Sequence, residues 1–182
     1  MYCSYFLTSF GSGIVYATDK GIIKVEIPDL SMNEAALNTV QSEFEPSEMT
    51  MHAARLLQRY FSGESTDFTG IPVQLEGMTP FRQKVLEVTR KLAFGEICSY
   101  GQMAVLCGSP SAARAVGGAL ASNPVPLIIP CHRVVASDGR LTGFSAPGGE
   151  STKMALLKME GVEFKGMLVD KKQLVLHRIS NR

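Results

Sequence analysis

The sequence predicts an α+β protein built as two small domains, a strand-rich one over residues 1–78 and a helical one over 79–182. Three observations predict it. Short β-prone runs alternate with glycine-containing turns over the first 30 residues. Apolar residues recur at helical spacing from Met49 and again from Phe81. The charge changes sign just before Thr79: residues 1–78 hold four Lys and Arg against ten acids, a formal −6, whereas the rest holds fourteen against seven, a formal +7. That division, inside a chain of net charge +1, is what a protein needs when only one half meets a polyanion.

In chain order, Ser4–Thr8, Gly13–Tyr16 and Ile22–Ile27 read as an antiparallel meander, because turn residues at 11–13 and 19–21 separate them. Met51, Ala54, Leu56, Leu57 and Tyr60 give Met49–Tyr60 an apolar stripe, so it forms a helix packed on that sheet. Ile71–Leu75 is a further short strand. Thr79-Pro80 suits a helix N-cap followed by proline at the first helical position. The helix it opens carries Phe81, Val85, Leu86, Val88 and Leu92 and stops at Phe94-Gly95. Ser99–Leu106, a turn at Gly108-Ser109-Pro110, and Ser111–Leu120 then give two short helices in a helix-turn-helix pattern. The second of them offers one long polar side chain, Arg114, among small residues. Such a helix either packs tightly with one solvated arginine or approaches a minor groove closely while the arginine enters the base stack.

The content of 45% hydrophobic and 19% charged residues is that of an ordinary globular protein, and no apolar run is long enough to span a bilayer. The start has neither a basic region nor a long apolar core, which implies the cytoplasm, or the nucleus in a eukaryote. Cysteines at 3, 98, 107 and 131 form no CxxC pair, and the histidines at 52, 132 and 177 are scattered, so neither a disulfide framework nor a metal site is expected. Cys3, Cys98 and Cys107 read as small structural residues, and His52 and His177 as surface or partly packed ones. The basic run from Lys171 to Arg182 reads as a solvated tail that adds weak phosphate attraction.

Cys131 is followed directly by His132, and a thiol needs a base or a positive field to react near neutral pH. Side chains of adjacent residues diverge, so His132 is expected to reach the thiol through a water and to need an orienting carboxylate from elsewhere in the chain. A Cys-His hydrolase normally uses direct contact, which this adjacency disfavours. A sequence-reading regulator needs a polar base-reading face that Ser111–Ala121 lacks.

Pro130-Cys-His-Arg-Val134 resembles the active-site signature of the O6-alkylguanine-DNA alkyltransferases. The likeness extends, in order, to Thr79-Pro-Phe81, Gly95-Glu-Ile-Cys-Ser-Tyr-Gly-Gln102, Ala112-Ala-Arg-Ala-Val-Gly117, Asn123-Pro-Val-Pro126 and Met159-Glu-Gly161. The resemblance implies a ribonuclease-H-like N-terminal domain, a winged-helix-like catalytic domain, and DNA repair by irreversible, single-turnover alkyl transfer from O6-alkylguanine, with O4-alkylthymine a further substrate. It also implies roles. Cys131 accepts the alkyl group, His132 activates it, and Glu160 orients His132. Tyr100 protonates the departing base, Asn123 braces the hinge before the active-site segment, and Arg114 fills the gap left by a flipped nucleotide. Ser99, Tyr100, Ala112, Ala113 and Gly117 meet the DNA, while Pro126, Cys131, Val134, Phe144 and Ser145 form the base pocket. No cofactor and no metal are implied. The partner is double-stranded DNA carrying the lesion, held through its minor groove by a monomer, with no membrane involved. This sequence departs from the family in lacking tryptophan, with Leu86 and Ala155 where relatives carry one, in Phe144 for tyrosine, and in a longer loop at 146–152. Cysteine rather than tryptophan after Pro130 separates it from the alkyltransferase-like proteins that bind lesions without repairing them.

Overall fold

The computed structural model describes residues 1–29 and 43–174, so the basic run beyond 174, with His177, Arg178 and Arg182, lies outside the described residues. The chain packs as two compact units, Met1–Glu76 with Pro124–Ile128, and Gly77–Asn123 with Ile129–Arg182. The segment 124–128 groups with the first unit because the Val25 amide donates to the Pro124 carbonyl at 2.9 Å and Val125, Leu127 and Ile128 are buried. Buried Leu127 takes a φ of 73°, which a side chain with a Cβ adopts only when its surroundings hold it there.

In the first unit, β1 (Tyr2–Thr8), β2 (Gly11–Thr18) and β3 (Gly21–Asp29) form an antiparallel sheet in the order β1-β2-β3. The meander read from the sequence is present, and its strands are longer than the apolar runs suggested. Helix α1 (Glu48–Phe61) begins at a reciprocal cap in which Ser47 and Thr50 each accept the other's backbone amide. Its inward face is Ala53, Ala54, Leu57, Tyr60 and Phe61, and Phe61 stacks on Phe6 of β1 at 6.2 Å. Met51, expected on that face, is exposed, since it falls outside the 53/54/57/60/61 rhythm. Ile71–Leu75 is not a full strand: only Val73 bridges to Ile22, with flanking backbone bonds between 22 and 72–74.

The second unit opens with α2 (Pro80–Arg90), where Thr79 Oγ1 accepts the Arg82 amide and Pro80 stands in the first turn. The helix ends at Arg90 rather than Phe94, because the Leu92 amide folds back to Thr89 at 3.0 Å and the Ala93 amide is taken by the Glu96 carboxylate at 2.9 Å. β4 (Cys98–Ser99) runs into α3 (Tyr100–Leu106), a turn through Gly108 (φ 76°) follows, and α4 (Ala113–Ala121) packs against both α2 and α3. β5 (Val134–Val135) pairs with β4 in parallel. Helix α5 (Gly149–Met159), the hairpin of β6 (Phe164–Lys165) and β7 (Leu168–Val169), and a 3-10 turn Lys171–Gln173 complete the described part of the unit; the expected solvated tail is thus ordered at its start, where Leu174 bridges to Ile97. Ile97, Val135, Leu141, Leu157, Val162 and Val169 form a buried cluster beneath them. The loop expected over 146–152 is thus a helix from Gly149 on, entered through Gly148 and Gly149 at φ 78° and 52°. Among the described residues no helix is long and apolar enough to cross a membrane.

Candidate active site

The parallel pairing of Cys98 with Val134 and Ser99 with Val135 decides where the chemistry sits. It sets the 3-10 turn Cys131–Arg133 beside the start of α3, so the thiol-bearing turn and Tyr100 come together although far apart in sequence. Ser99 is 4% exposed and its hydroxyl accepts the Gln102 amide at 3.1 Å, with Gln102 Oε1 returning to the Ser99 amide at 2.8 Å. Its side chain is therefore the cap that aims Tyr100. That differs from an exposed contact with DNA.

Cys131 is half-buried. Burial raises its thiol pKa above the ordinary value. A hydrogen bond from Asn123, the charge of Lys153 and local backbone amides oppose that rise. Asn123 also donates from Nδ2 to the Ile129 carbonyl at 2.8 Å, tying the two ends of residues 123–129 together. His132 is completely buried, and its Nε2 lies 2.7 Å from Glu160 Oε1. Burial lowers the histidine pKa below its ordinary 6.5, while Glu160 pulls the other way and Arg133 and Lys153 add to the lowering. Glu160 is held by more than His132. Arg133 Nε donates to Oε2 at 2.8 Å, Arg133 Nη2 to Oε1 at 2.9 Å, and the Gly95 amide to Oε2 at 3.0 Å. Burial pushes the carboxyl up, but His132 and the Arg133 guanidinium, with their hydrogen bonds, prevail and keep it well below the usual carboxylate range. Gly95 takes φ 75°, and a Cβ there would stand 2.9 Å from the Glu160 carbonyl oxygen, so glycine is required both for the turn and for the approach.

Arg133 and Lys153 were not singled out by sequence reasoning. Arg133 lies inside the Pro130–Val134 motif, but its role depends on which carboxylate the fold brings to it. Lys153 lies seven residues before Glu160, and helical periodicity sets the two side chains on one face two turns apart. It is 1% exposed, and its ammonium donates to the carbonyls of Val134 at 2.6 Å and Thr142 at 3.0 Å. Burial brings its pKa down to about 8, against the opposing pull of Cys131 and Glu150. The Tyr100 hydroxyl donates to the same Thr142 carbonyl at 2.7 Å, and burial raises its pKa. The only sequence signal for Lys153 was its spacing from Glu160, and that becomes informative once α5 is known to reach back to Gly149.

A cavity of about 770 Å³ opens beside this cluster, lined among others by Tyr100, Ala113, Arg114, Gly117, Ser137 and Arg140. Arg114 is exposed, Ala112 is the N-cap position of α4, and Ala113 and Gly117 are half-buried, while Val116, Ala119 and Leu120 face the core. Ser137 and Arg140 are additions that the sequence did not reveal. Of the expected pocket residues, Val134 is buried with its carbonyl engaged by Lys153, and Phe144 is half-buried. Ser145 is exposed with its hydroxyl 3.3 Å from the Ala121 carbonyl. Pro126 belongs to the 124–128 segment of the first unit and is half-buried there.

Residues 1–75 match the family model of the 6-O-methylguanine DNA methyltransferase ribonuclease-like domain, and residues 80–162 match that of its DNA binding domain. Over 164 residues the chain is 33% identical to the methylated-DNA--protein-cysteine methyltransferase of Haemophilus influenzae, an alignment spanning 90% of this chain and 88% of that one. It is 38% identical over 142 residues to the protein of the same name from Methanosarcina acetivorans, spanning 78% and 81%. Among solved structures, Mycobacterium tuberculosis OGT in complex with DNA aligns with a TM-score of 0.71 at 29% identity, covering 96% of this chain and 95% of that one. The α+β reading, with a ribonuclease-like first domain and a helical DNA-binding second, holds. With both family models matched in order along the chain, and a relative aligned across most of both proteins, the chain belongs to the 6-O-methylguanine DNA methyltransferase family.

Proposed function

We propose that this chain repairs DNA by transferring the alkyl group of O6-alkylguanine irreversibly to Cys131. The observation that carries the assignment is the buried Glu160–His132 pair, 2.7 Å apart, on the turn that presents the thiol. With Nε2 engaged by Glu160, the other ring nitrogen of His132 takes the thiol proton, relayed through a water. Both groups are shifted toward their neutral forms, so proton removal accompanies attack rather than preceding it. The sulfur–carbon bond forms as the carbon–O6 bond breaks, the bonding pair stays with guanine, and Tyr100 supplies the proton that neutralises it. Lys153 adds positive charge where the thiol becomes anionic. Asn123 steadies the thiol, and the thioether formed at Cys131 has no step that regenerates it.

In this reading residues 79–182 are the DNA-binding and catalytic domain and residues 1–78 the supporting one. Duplex DNA is taken through its minor groove, with Ala112, Ala113 and Gly117 permitting close approach. Ser99 acts by capping the helix that carries Tyr100, and Arg114 enters the stack as the damaged nucleotide leaves it. Val134, Phe144 and Ser145 shape the base pocket. The protein works as a monomer without a cofactor, in the cytoplasm or, in a eukaryote, the nucleus. Intact-mass measurement after incubation with an alkylated oligonucleotide tests the assignment. One alkyl group is expected to stay on Cys131, whereas a hydrolase would turn over and a regulator would gain no mass.

Arg114→Ala is expected to slow repair in duplex DNA by about 10-fold or more while leaving transfer from the free modified base nearly unchanged, since filling a vacated stack matters only where a stack exists. Equal losses on both substrates would assign Arg114 a purely structural role. Affinity for unmodified duplex is expected to fall with salt and to vary little with sequence. Neutralising about four phosphates predicts a loss of roughly 100-fold across a fourfold rise in salt. Binding titrations with duplexes of unrelated sequence check this, and a strong preference for one of them would revive the regulator.

A further inference from the structure

One carboxylate in the second unit serves two basic side chains. Glu160 takes His132 Nε2 on Oε1 and, on both oxygens, the Nε and Nη2 of Arg133, whose Nη1 donates to the Leu92 carbonyl at 2.6 Å. The Arg133 side chain is 4% exposed and those of His132 and Glu160 are fully buried, so neither the charges nor their geometry is relaxed by solvent. We propose that Arg133 is a positioning residue for alkyl transfer: its fork fixes the Glu160 carboxylate and gives it a permanent countercharge, so that His132 meets an already neutralised partner and serves the thiol as an uncharged base.

The physical reason is competition for one negative charge. A buried histidine that is the sole partner of a buried carboxylate is drawn into the protonated form, and a protonated imidazole cannot accept the thiol proton. A guanidinium that never loses its proton and grips the carboxylate on both oxygens removes that incentive. The charged groups acting on His132 are Glu160 and Lys153 from α5 and its end, and Arg133 from its own turn. Of these, only Glu160 favours its protonation, and Arg133 and Lys153 both oppose it. Arg133 is the one of the two that touches the carboxylate. Lys153 bonds only to backbone carbonyls.

The proposal rests on the reading of His132 as the base for Cys131. Two measurements on the full chain keep them separate: the pH dependence of single-turnover transfer, and NMR titration of the His132 ring, which needs no substrate. In the wild type the His132 ring is expected to be neutral at pH 7 and to titrate below 6.5. Arg133→Gln is expected to raise both the ring titration and the acid limb of the rate by about 1 pH unit. Arg133→Lys, which keeps the charge and loses the fork, is expected to slow transfer with the limb near its wild-type position. A His132 ring charged at pH 7 in the wild type overturns the proposal, as does an Arg133→Gln variant that is slower with an unmoved limb. If Arg133→Gln does not fold, Arg133→Lys decides: slowed transfer with the ring titrating at or above its wild-type value supports the proposal, and transfer at the wild-type rate overturns it. A wild type that gains no alkyl mass at Cys131 refutes the transfer reading instead.

Discussion

Cys131→Ser is expected to reduce alkyl transfer by at least on the order of 10⁴-fold while binding of lesion-bearing duplex stays at the wild-type level. The substitution keeps the size of the side chain at a half-buried position and leaves untouched the groove lined by Tyr100, Arg114 and Arg140. It replaces a polarisable thiol, which a neutral His132 can deprotonate as attack proceeds, by a hydroxyl far too weakly acidic for the same base. Cys131→Ala makes the same test without any oxygen nucleophile. The other described cysteines are poor substitutes: Cys3 and Cys98 are buried, burial raises the thiol pKa of Cys98 to about 12, and burial also raises that of half-buried Cys107. The measurements are intact mass after incubation with alkylated duplex and a binding titration on the same duplex. Retained transfer in Cys131→Ala would move the acceptor elsewhere, and lost binding in both variants would mean that the thiol helps to build the pocket.

Glu160→Ala is expected to destabilise the fold by about 3–5 kcal/mol, because it strands a buried guanidinium and removes the partner of a buried imidazole. Against a typical total of about 5–15 kcal/mol, that brings the protein close to unfolding. Urea unfolding measures the loss. A change under about 1 kcal/mol would show that solvent reaches the trio freely. Acid should mimic part of the effect. The folded-state pKa of His132 lies below its ordinary 6.5, so the unfolded chain takes up a proton first and stability falls as pH drops below that value. The pKa of Glu160 is also depressed, so its contribution is complete above the ordinary carboxylate value and is lost as pH falls toward the folded-state one. Glu160→Gln should lose the second dependence and strengthen the first, because the negative charge that raises the His132 pKa is gone.

Much of the first unit was legible in sequence because its signals are local: turn glycines between β-prone runs, and an apolar stripe that needs only 3.6-residue periodicity to become α1. Where a boundary depended on a long-range partner, the reading slipped. The end of α2 moved back from Phe94 because Leu92 turns back on Thr89 and the Glu96 carboxylate takes the Ala93 amide. The 71–75 run became one bridge at the start of β3, because further along that strand the Val25 amide is taken by the Pro124 carbonyl. Residues 149–152 became the first turn of α5 although Gly-Glu-Ser-Thr carries no apolar period.

Cys131, His132, Glu160 and Tyr100 could be named from sequence because their chemistry, or the order of their motifs, marks them without coordinates. What the tertiary structure alone decided is how they meet. A two-residue parallel ladder, too short to leave any pattern in sequence, sets the Cys131–Arg133 turn beside α3, and α5 returns Lys153 and Glu160 to one side of it. The charge state of the trio follows from that meeting. Whether a carboxylate draws a proton onto a histidine depends on a second cation within hydrogen-bond reach, and Arg133 becomes that cation only when residues 27 positions apart are buried together at 2.8 Å.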